Sequence, residues 1–476
     1  MSVRLFSGLG AAARRAPSRD RHWALRRRVS DASKATAVPP YLLNTAPLQL
    51  TTLPNGIRVA TEETGSETVT VGVYIDAGSA YETEETNGAA HFLEHMAFKG
   101  TTNRTQEQIE LEVENMGAQL NAYTSREHTV YVGRAFKSDM PKIVDILGDI
   151  LQNSKLEPAH IERERSVILT EKEVVESNLE EVVFDYLHAS AYQGTPLART
   201  ILGEEKNIRS LKREDLVNYI KTHYTGRRLV VAAVGSVNHD QLVDHVQKEF
   251  SQLPADSDFD FGPLADTEFT GSEIKVQDDT LHEVHAAVGF KSVSWSEPDY
   301  ITFMLLQSMI GSWDRSMGGG NSLNSRLSEI VSDENLAHSY STFNTCYNRT
   351  GLFGVYFVSD YNRVDEMCAE VMREFALARN VTPQELERAK NRVKSAYLMQ
   401  LDGTSAVCED IGRQLLTLGR RMSPIEVFLR IDKVTVEDIR RVAWDHFRDV
   451  DPVVSAIGPL KYFPDYNLWR TRTTEL

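Results

Sequence analysis

The sequence predicts an α+β fold made of two copies of one domain, and three observations support this prediction. The chain of 476 residues is longer than a single hydrophobic core usually supports. Residues 208–235 align without gaps onto residues 431–458, at an offset of 223. Two shorter runs match at an offset of 217: Ile57–Val59 with Ile274–Val276, and Val71–Gly72 with Val288–Gly289.

Each copy of the longer repeat reads as a helix, a short turn and a buried strand. In the first copy the strand is Leu229–Val234, an unbroken apolar run of strand length. It is far shorter than the roughly 20 apolar residues that span a bilayer, so we expect no transmembrane segment. We predict domains at residues 48–255 and 268–476, joined by a linker at 256–267 that contains Pro and Asp.

The first 40 residues differ in composition from the rest of the chain. They hold eight Arg and one Lys against two Asp, a net charge of +7, and they are rich in Ala and Ser. This composition is typical of a mitochondrial transit peptide and predicts a location in the matrix. The alternative is a basic arm for nucleic acid, but no nucleic-acid-binding motif follows it.

Charge and cysteine content limit the classes of function. The whole chain carries −16, so the part after the first 40 residues carries −23. Such an acidic body repels nucleic acid and suits a cationic partner. Cys346, Cys368 and Cys408 are too few and too scattered for a disulfide framework or a zinc cluster, and they fit a reducing compartment.

The strongest chemical signal is the pentapeptide His91-Phe92-Leu93-Glu94-His95. Two His residues four apart lie on one face of a helix, where both imidazoles can bind one tetrahedral Zn²⁺. Glu94 precedes the second His and can reach a metal-bound water as a general base. The order H-x-x-E-H marks one class of zinc peptidase. A helix with one surface His and one core His would show the same pattern.

Catalytic zinc needs a third protein ligand. Residues 161–185 have few helix breakers and a helical period of apolar residues, so we read them as one helix. Glu171 lies between Leu169 and Val174 and could be partly buried there. Periodicity alone leaves Glu171, Glu173 and Glu176 as alternatives for the ligand.

Longer motifs show that the chain resembles a known protein family. The resemblance covers nearly all of the sequence after about residue 48. The chain resembles the β subunits of mitochondrial processing peptidases, in the pitrilysin/insulysin superfamily, and also the core 1 subunit of respiratory complex III. The matching segments are residues 87–101, 121–127, 182–189, 199–203, 401–404, 409–416 and 419–421.

The resemblance implies a clam-like pitrilysin-type fold with one Zn²⁺ per chain. It implies zinc ligands at His91, His95 and Glu171, with Glu94 as the catalytic base. The implied activity is endoproteolytic removal of basic presequences from imported mitochondrial proteins.

The resemblance also implies how the substrate binds. Processing peptidases favour an Arg two residues before the cut, and Glu181 and Asp185 match the family's Arg-binding pair. On a continuous helix these two carboxylates would lie about 80° and 40° from Glu171 around the axis. Phe98 matches the residue that contacts the side chain just after the cut. The segment Asn121, Ala122 and Tyr123 resembles the edge strand on which the peptide lies extended.

The second half lacks the H-x-x-E-H motif, so we expect it to be a scaffold. In place of the zinc helix it offers residues 310–320, whose Gly318–Gly320 run lacks the spacing of a phosphate-binding loop. Single-chain relatives supply an Arg and a Tyr from this half, where this chain has Val331 and His338. We therefore expect a heterodimer with a homologous α subunit. The alternative is a mainly structural core subunit of ubiquinol-cytochrome c reductase, assembled with cytochrome b and c1.

Overall fold

A computed structural model of the chain describes residues 46–258, 267–319 and 325–475. The predicted transit peptide and most of the predicted linker lie outside these residues. The structure consists of two six-stranded sheets, each built from strands of one half of the chain and covered by helices. The prediction of two similar α+β domains is confirmed.

The first sheet has the order β1-β2-β6-β3-β5-β4. Strands β2 and β6 are parallel, and the other neighbours are antiparallel. The strands are β1 (Gln49–Thr52), β2 (Arg58–Glu63), β3 (Thr68–Ile75), β4 (Gln119–Thr124), β5 (Thr129–Phe136) and β6 (Leu229–Gly235).

Eight α-helices belong to the first half: α1 (Ala89–Met96), α2 (Gln106–Met116), α3 (Met140–Gln152), α4 (Pro158–Ser177), α5 (Leu179–Ala191), α6 (Glu205–Ser210), α7 (Arg213–His223) and α8 (His239–Glu249). Helix α3 shows how sequence decides packing. Its apolar residues recur at helical spacing, and Ile143, Ile146, Leu147 and Ile150 are buried in the first core.

The second sheet has the order β7-β12-β8-β11-β10-β9. Its strands are β7 (Glu273–Gln277), β8 (Glu283–Ser292), β9 (Ser312–Asp314), β10 (Ser339–Cys346), β11 (Gly351–Asp360) and β12 (Val453–Gly458). The helices of this half are α9 (Tyr300–Ile310), α10 (Arg326–Glu334), α11 (Val364–Leu377), α12 (Pro383–Gln400), α13 (Thr404–Leu418), α14 (Pro424–Lys433), α15 (Val436–Phe447) and α16 (Tyr466–Glu475).

The repeat found in the sequence marks the same elements in both halves. At an offset of 223, β6 corresponds to β12, and both strands end on a glycine. Gly235 and Gly458 have φ angles of 128° and 134°, and a Cβ would lie 2.1 and 2.5 Å from a backbone oxygen of the neighbouring strand. Only glycine fits these positions without a backbone shift.

In each half, one helix packs against the sheet of the other half. Helix α5 packs on β8 and β12, where Ser455 Oγ donates a hydrogen bond of 2.9 Å to the carbonyl of Val183. Helix α13 packs on β3 and β6, where Cys408 Sγ lies 3.4 Å from the carbonyl oxygen of Ala232. Ala232 and Ser455 are equivalent positions of the repeat, so the exchange is reciprocal.

The two sheets differ at one edge. Strand β4 ends the first sheet, and β5 is its strand neighbour there. In the second sheet the equivalent strand, β10, is covered by the extra strand β9. Among the described residues, the first half therefore presents the whole length of this edge for pairing with another extended chain, whereas β9 occupies residues 339–341 of the edge in the second half.

Two further expectations can be compared with the described residues. Cys346, Cys368 and Cys408 are buried and free, in agreement with the sequence analysis. Among the helices of the described ranges, none combines the length and the apolar character needed to cross a bilayer.

Candidate metal centre

The H-x-x-E-H segment lies on α1, whose N-terminus is held by a buried carboxylate. Glu82 Oε2 accepts hydrogen bonds from the backbone N–H of Gly88 and from Asn87 Nδ2, both at 2.8 Å. Its Oε1 accepts from the N–H of Ala90 at 2.7 Å. Burial is the main cause that raises the pKa of Glu82 to about 8. These bonds satisfy donors that a helix N-terminus otherwise leaves unpaired.

The structure brings His91, His95 and Glu171 together. His95 Nε2 lies 2.9 Å from Glu171 Oε2, and His91 Nε2 lies 3.6 Å from Glu171 Oε1. One ligand atom from each side chain lies within 4.8 Å of the other two. Hydrogen bonding and attraction from His91, and then from His95, hold the pKa of Glu171 below its ordinary value.

The structure separates the three Glu residues that the sequence left as alternatives. Glu171 is partly buried and faces both imidazoles. Glu173 is exposed, and Glu176 is exposed and pairs with Lys172 at 3.2 Å. The difference follows from their positions along α4. Glu173 and Glu176 lie two and five residues after Glu171, so they point away from the helix face that contacts α1.

A further acidic residue at this centre, Glu164, was missed by the sequence analysis. It is 4% exposed, and its Oε2 lies 3.5 Å from His95 Nδ1. Its Oε1 accepts from Lys99 Nζ at 2.8 Å. A carboxylate on the second ring nitrogen fixes the orientation of a metal-binding His. Its spacing in the sequence could have identified it. Glu164 lies seven residues before Glu171, which is about two helix turns, so both residues share one face of α4.

Glu94 lies on α1 between the two His residues and is partly buried. Burial is the main cause that raises the pKa of Tyr131, but the charge of Glu94 contributes to the rise. The Tyr131 hydroxyl lies 3.2 Å from the buried hydroxyl of Tyr224.

The prediction of one helix across residues 161–185 is wrong. Helix α4 ends at Ser177, and α5 begins at Leu179. The reason is Asn178, whose side chain caps α5 by accepting from the N–H of Glu180 at 3.2 Å. The angles of about 80° and 40° assumed for Glu181 and Asp185 therefore do not apply.

The two predicted arginine-binding residues have different surroundings. Glu181 is exposed, and its Oε1 accepts from Asn178 Nδ2 at 2.9 Å. Asp185 Oδ1 pairs with Arg126 Nη2 at 2.7 Å. Asp185 also lines a cleft of about 780 Å³ beside the cluster, whose other charged residues are Glu84, Lys172, Glu176, Arg199 and Glu204.

The predicted peptide-binding strand is the edge strand β4. The N–H of Ala122 is met by Asn121 Oδ1 at 3.0 Å rather than by a neighbouring strand. The Tyr123 hydroxyl donates to Glu409 of the second half. Phe98 is partly buried against the first core, and α1 packs against β4. The edge and the cluster are thus adjacent.

The counterpart of α1 in the second half is α9, the helix that follows β8 as α1 follows β3. The sequence predicts this counterpart at residues 310–320, and that prediction is wrong. That segment instead ends α9 and forms β9, and Gly320 lies outside the described residues. Val331 is buried in the second core, and His338 pairs with Asp360 at 3.1 Å.

Two imidazoles and one carboxylate are the donor set of a catalytic zinc site. Both Nε2 atoms and a Glu171 oxygen converge, and the second nitrogen of His95 faces Glu164. The residues present therefore fit a divalent metal with an open position.

Family models match both halves of the chain. Residues 58–205 match insulinase (peptidase family M16), and residues 210–393 match the peptidase M16 inactive domain. The chain belongs to peptidase family M16. In this M16 chain the half with the cluster matches the peptidase domain, and the half that lacks the motif matches the inactive domain.

Curated relatives and solved structures agree with this assignment. The mitochondrial-processing peptidase subunit beta of Dictyostelium discoideum is 51% identical, with 91% of this chain and 94% of the relative covered. The human subunit is 50% identical, with 91% and 89% covered. A chain of Complex III2 from Candida albicans, bound to Inz-5, aligns with a TM-score of 0.79 at 25% identity, covering 89% of this chain and 99% of that chain. A protease from Helicobacter pylori shares the fold at a TM-score of 0.78 and 21% identity, covering 87% and 99%.

Proposed function

We propose that this M16 chain is the β-type catalytic subunit of a zinc metalloendopeptidase that removes basic presequences from imported mitochondrial proteins. The observation that carries the proposal is the cluster of His91, His95 and Glu171 beside an unpaired sheet edge. A peptidase needs both a reactive centre and a means of holding an extended backbone. The names of the relatives that cover most of this chain support the substrate class.

In the proposed mechanism His91, His95 and Glu171 hold one Zn²⁺. When bound, zinc lowers the pKa of water to about 7 and polarises the scissile carbonyl. Glu94 takes the proton of the attacking water and passes it to the leaving amine. Glu164 holds His95 through Nδ1, so that Nε2 points to Glu171.

The substrate lies antiparallel or parallel to β4 as an added strand. Its backbone carbonyl replaces Asn121 as the partner of the Ala122 N–H. Asp185 and Glu181 bind the Arg before the cut, and Phe98 contacts the side chain just after it. Asp185 does so from the cleft of about 780 Å³, which we call the acidic cleft because four of its six charged residues are acidic. The net charge of −23 on the body of the chain favours the approach of a cationic peptide.

The proposal includes a homologous α subunit as partner and the matrix side of the mitochondrion as location. Val331 and His338 stand where single-chain relatives supply an Arg and a Tyr, so another polypeptide must complete the wall of the site. The relatives from Dictyostelium discoideum and human are named as beta subunits, which supports this.

The test is cleavage of a presequence peptide by the purified chain, with and without the α-type partner, before and after chelation. We expect activity only with the partner and with metal, restored when Zn²⁺ is added back. Full activity of the isolated chain would contradict the requirement for a partner, and activity that survives complete metal removal would contradict the mechanism.

A second function is favoured by one observation, the alignment with a Complex III2 chain at a TM-score of 0.79. The same polypeptide would then serve as a core subunit of complex III and still cleave presequences. Purification of the native protein separates the two cases. A complex III subunit elutes with cytochromes b and c1, and a free peptidase elutes with its α-type partner alone.

A further inference from the structure

The duplication places a counterpart of the acidic cleft in the second half. Pro158 and Pro383 begin α4 and α12 and lie 225 residues apart. Leu179 and Thr404 begin α5 and α13 and are separated by the same number. One offset therefore relates both pairs of helices. Between α12 and α13 lies a cleft of about 310 Å³, which we call the second cleft.

Two charged residues of the acidic cleft have uncharged counterparts in the second cleft. At the offset of 225, Lys172 corresponds to Tyr397 and Glu176 to Leu401, and all four line their clefts. The metal ligand Glu171 corresponds to Ala396, so this half cannot supply the same metal site. The duplicated helices have kept a cleft but have lost the metal ligand and these two charged side chains.

The proposed arginine-binding pair has changed in the same way. Glu181 corresponds to Ala406, which removes one carboxylate. Asp185 corresponds to Asp410, whose Oδ2 is held by Arg421 Nε at 3.1 Å. Arg421 also pairs with Glu62 and has a side chain only 6% exposed. The remaining carboxylate is thus paired with a buried arginine, as Asp185 is with Arg126.

The other walls of the second cleft are largely apolar. They include Trp295, Ile301, Met304 and Leu401. The Arg413 guanidinium lies 5.3 Å from the centre of the Trp295 ring and 3.8 Å from Glu409, so it forms part of a polar rim. A volume near 300 Å³ with apolar walls and a polar rim is typical of a small binding pocket.

One rim residue connects the second cleft to the peptide-binding edge. Glu409 lines the cleft and accepts a hydrogen bond from the Tyr123 hydroxyl on β4. A peptide paired with β4 therefore passes beside the rim. In the second half, β9 already pairs with Ser339–Ser341 of β10, so this part of the corresponding edge is occupied.

We propose that the second cleft binds an apolar side chain of the same basic peptide that is cleaved, at a position several residues away from the cut. This rests on the proposed function and adds a second binding site for that substrate. The occupant is an aliphatic or aromatic side chain, because no uncompensated carboxylate faces the hollow. Glu409 at the rim suits a Lys or Arg next to that side chain in the peptide.

The test measures peptide binding to the αβ complex that carries Glu94→Gln, so that cleavage does not interfere. Labelled peptides share one basic sequence with Arg before the cut, and a Leu or a Ser is placed at successive distances from it. At one distance we expect the Leu peptide to bind about tenfold more tightly, as burial of one aliphatic side chain predicts.

Two variants and one control assign that preference to the second cleft. Ala406→Phe fills the hollow and Leu401→Ser makes it polar, and either change should abolish the preference for Leu. The control Ala159→Phe adds the same bulk at an exposed position in the first turn of α4. It should leave the preference for the Leu peptide unchanged.

Equal binding of the Leu and Ser peptides at every distance would overturn the proposal, as would a preference that survives both changes in the cleft. Failure of the proposed function looks different. In that case the complex with Glu94 intact cleaves neither peptide, whatever their relative affinities.

Discussion

Arg126 and Asp185 form an ion pair in the acidic cleft, with Nη2 2.7 Å from Oδ1. Arg126 lies in the turn that joins β4 and β5, and its side chain is 9% exposed. The pair therefore ties the end of the peptide-binding edge to α5. It holds one oxygen of Asp185 in place while the side chain, 34% exposed, still lines the cleft.

This arrangement predicts that Glu181 and Asp185 set the preference for Arg before the cut. The double variant Glu181→Gln, Asp185→Asn should lower kcat/KM for an Arg peptide by about 10²-fold, because charge-assisted hydrogen bonds are lost. A matched peptide with Ala at that position should change little. The measurement is the ratio of the two kcat/KM values.

The control for the arginine pair is Glu180→Gln, an exposed carboxylate on the same helix, which should leave the ratio unchanged. If the double variant also leaves it unchanged, the arginine is recognised elsewhere in the cleft.

Replacing Glu94 by Gln should abolish cleavage and leave metal binding intact. The base is lost, but His91, His95 and Glu171 remain, so kcat should fall by about 10²-fold or more. Metal analysis of the variant and a presequence-cleavage assay check this together. Near-normal turnover would remove Glu94 from the mechanism.

Replacing Glu171 by Gln should weaken zinc binding far more than the same change at Glu173 or Glu176. Glu171 faces both imidazoles, whereas the other two carboxylates are exposed. Zinc titration of the three variants decides the matter, and equal affinities across the set would refute the choice of ligand.

Replacing Glu164 by Gln should lower zinc affinity by about 10- to 100-fold, as is usual for the partner of a metal-binding His. The reason is the contact of 3.5 Å with His95 Nδ1, and loss of charge also frees Lys99. The matched control is Glu162→Gln on the same helix, where the side chain is 69% exposed. Equal zinc affinities for the two variants would show that Glu164 serves folding alone.

Glu127 should make stability depend on pH. It accepts the N–H of Asn348, at 2.9 Å to the nearer oxygen, and so joins the two halves, and burial is the main cause that raises its pKa from 4.5 to about 7. A raised pKa means that the folded protein holds this proton more tightly than the unfolded chain. Its contribution to the free energy of unfolding is full below pH 4.5 and is lost as the pH rises to about 7.

Thermal unfolding of Glu127→Gln, followed across that pH range, tests the prediction. The melting temperature of the variant should fall less with rising pH than that of the natural chain. Glu67→Gln, at a side chain 75% exposed, is the control and should follow the natural chain. Parallel curves for all three proteins would contradict the role of Glu127.

Much of this architecture could be predicted from local patterns in the sequence. The repeat located β6 and β12 together with the helices before them, because buried strands and amphipathic helices have distinct periods. His91, Glu94 and His95 were found because their spacing is fixed within one helix. Glu171 needed the family resemblance, because several Glu residues on α4 satisfy periodicity equally well.

Other features depend on contacts between distant segments. The role of Glu164 depends on the contact between α4 and α1, which brings it to His95. The role of Arg126 depends on the contact between the β4–β5 turn and α5, which brings it to Asp185. The break at Asn178 was missed because one capping side chain outweighs the helical pattern on either side of it. Strand β9, which pairs with β10, could not be predicted either. It has only three residues, too few to show the alternating pattern of a strand.

The reciprocal packing of α5 and α13 has a consequence for how the chain is made. On a ribosome the strands of the first sheet are complete by residue 235, but α13, which covers one face of that sheet, begins only at residue 404. Contacts of such sequence separation form slowly, and neither half is a closed folding unit by itself. One face of the first sheet therefore stays without its covering helix until the last sixth of the chain has been synthesised.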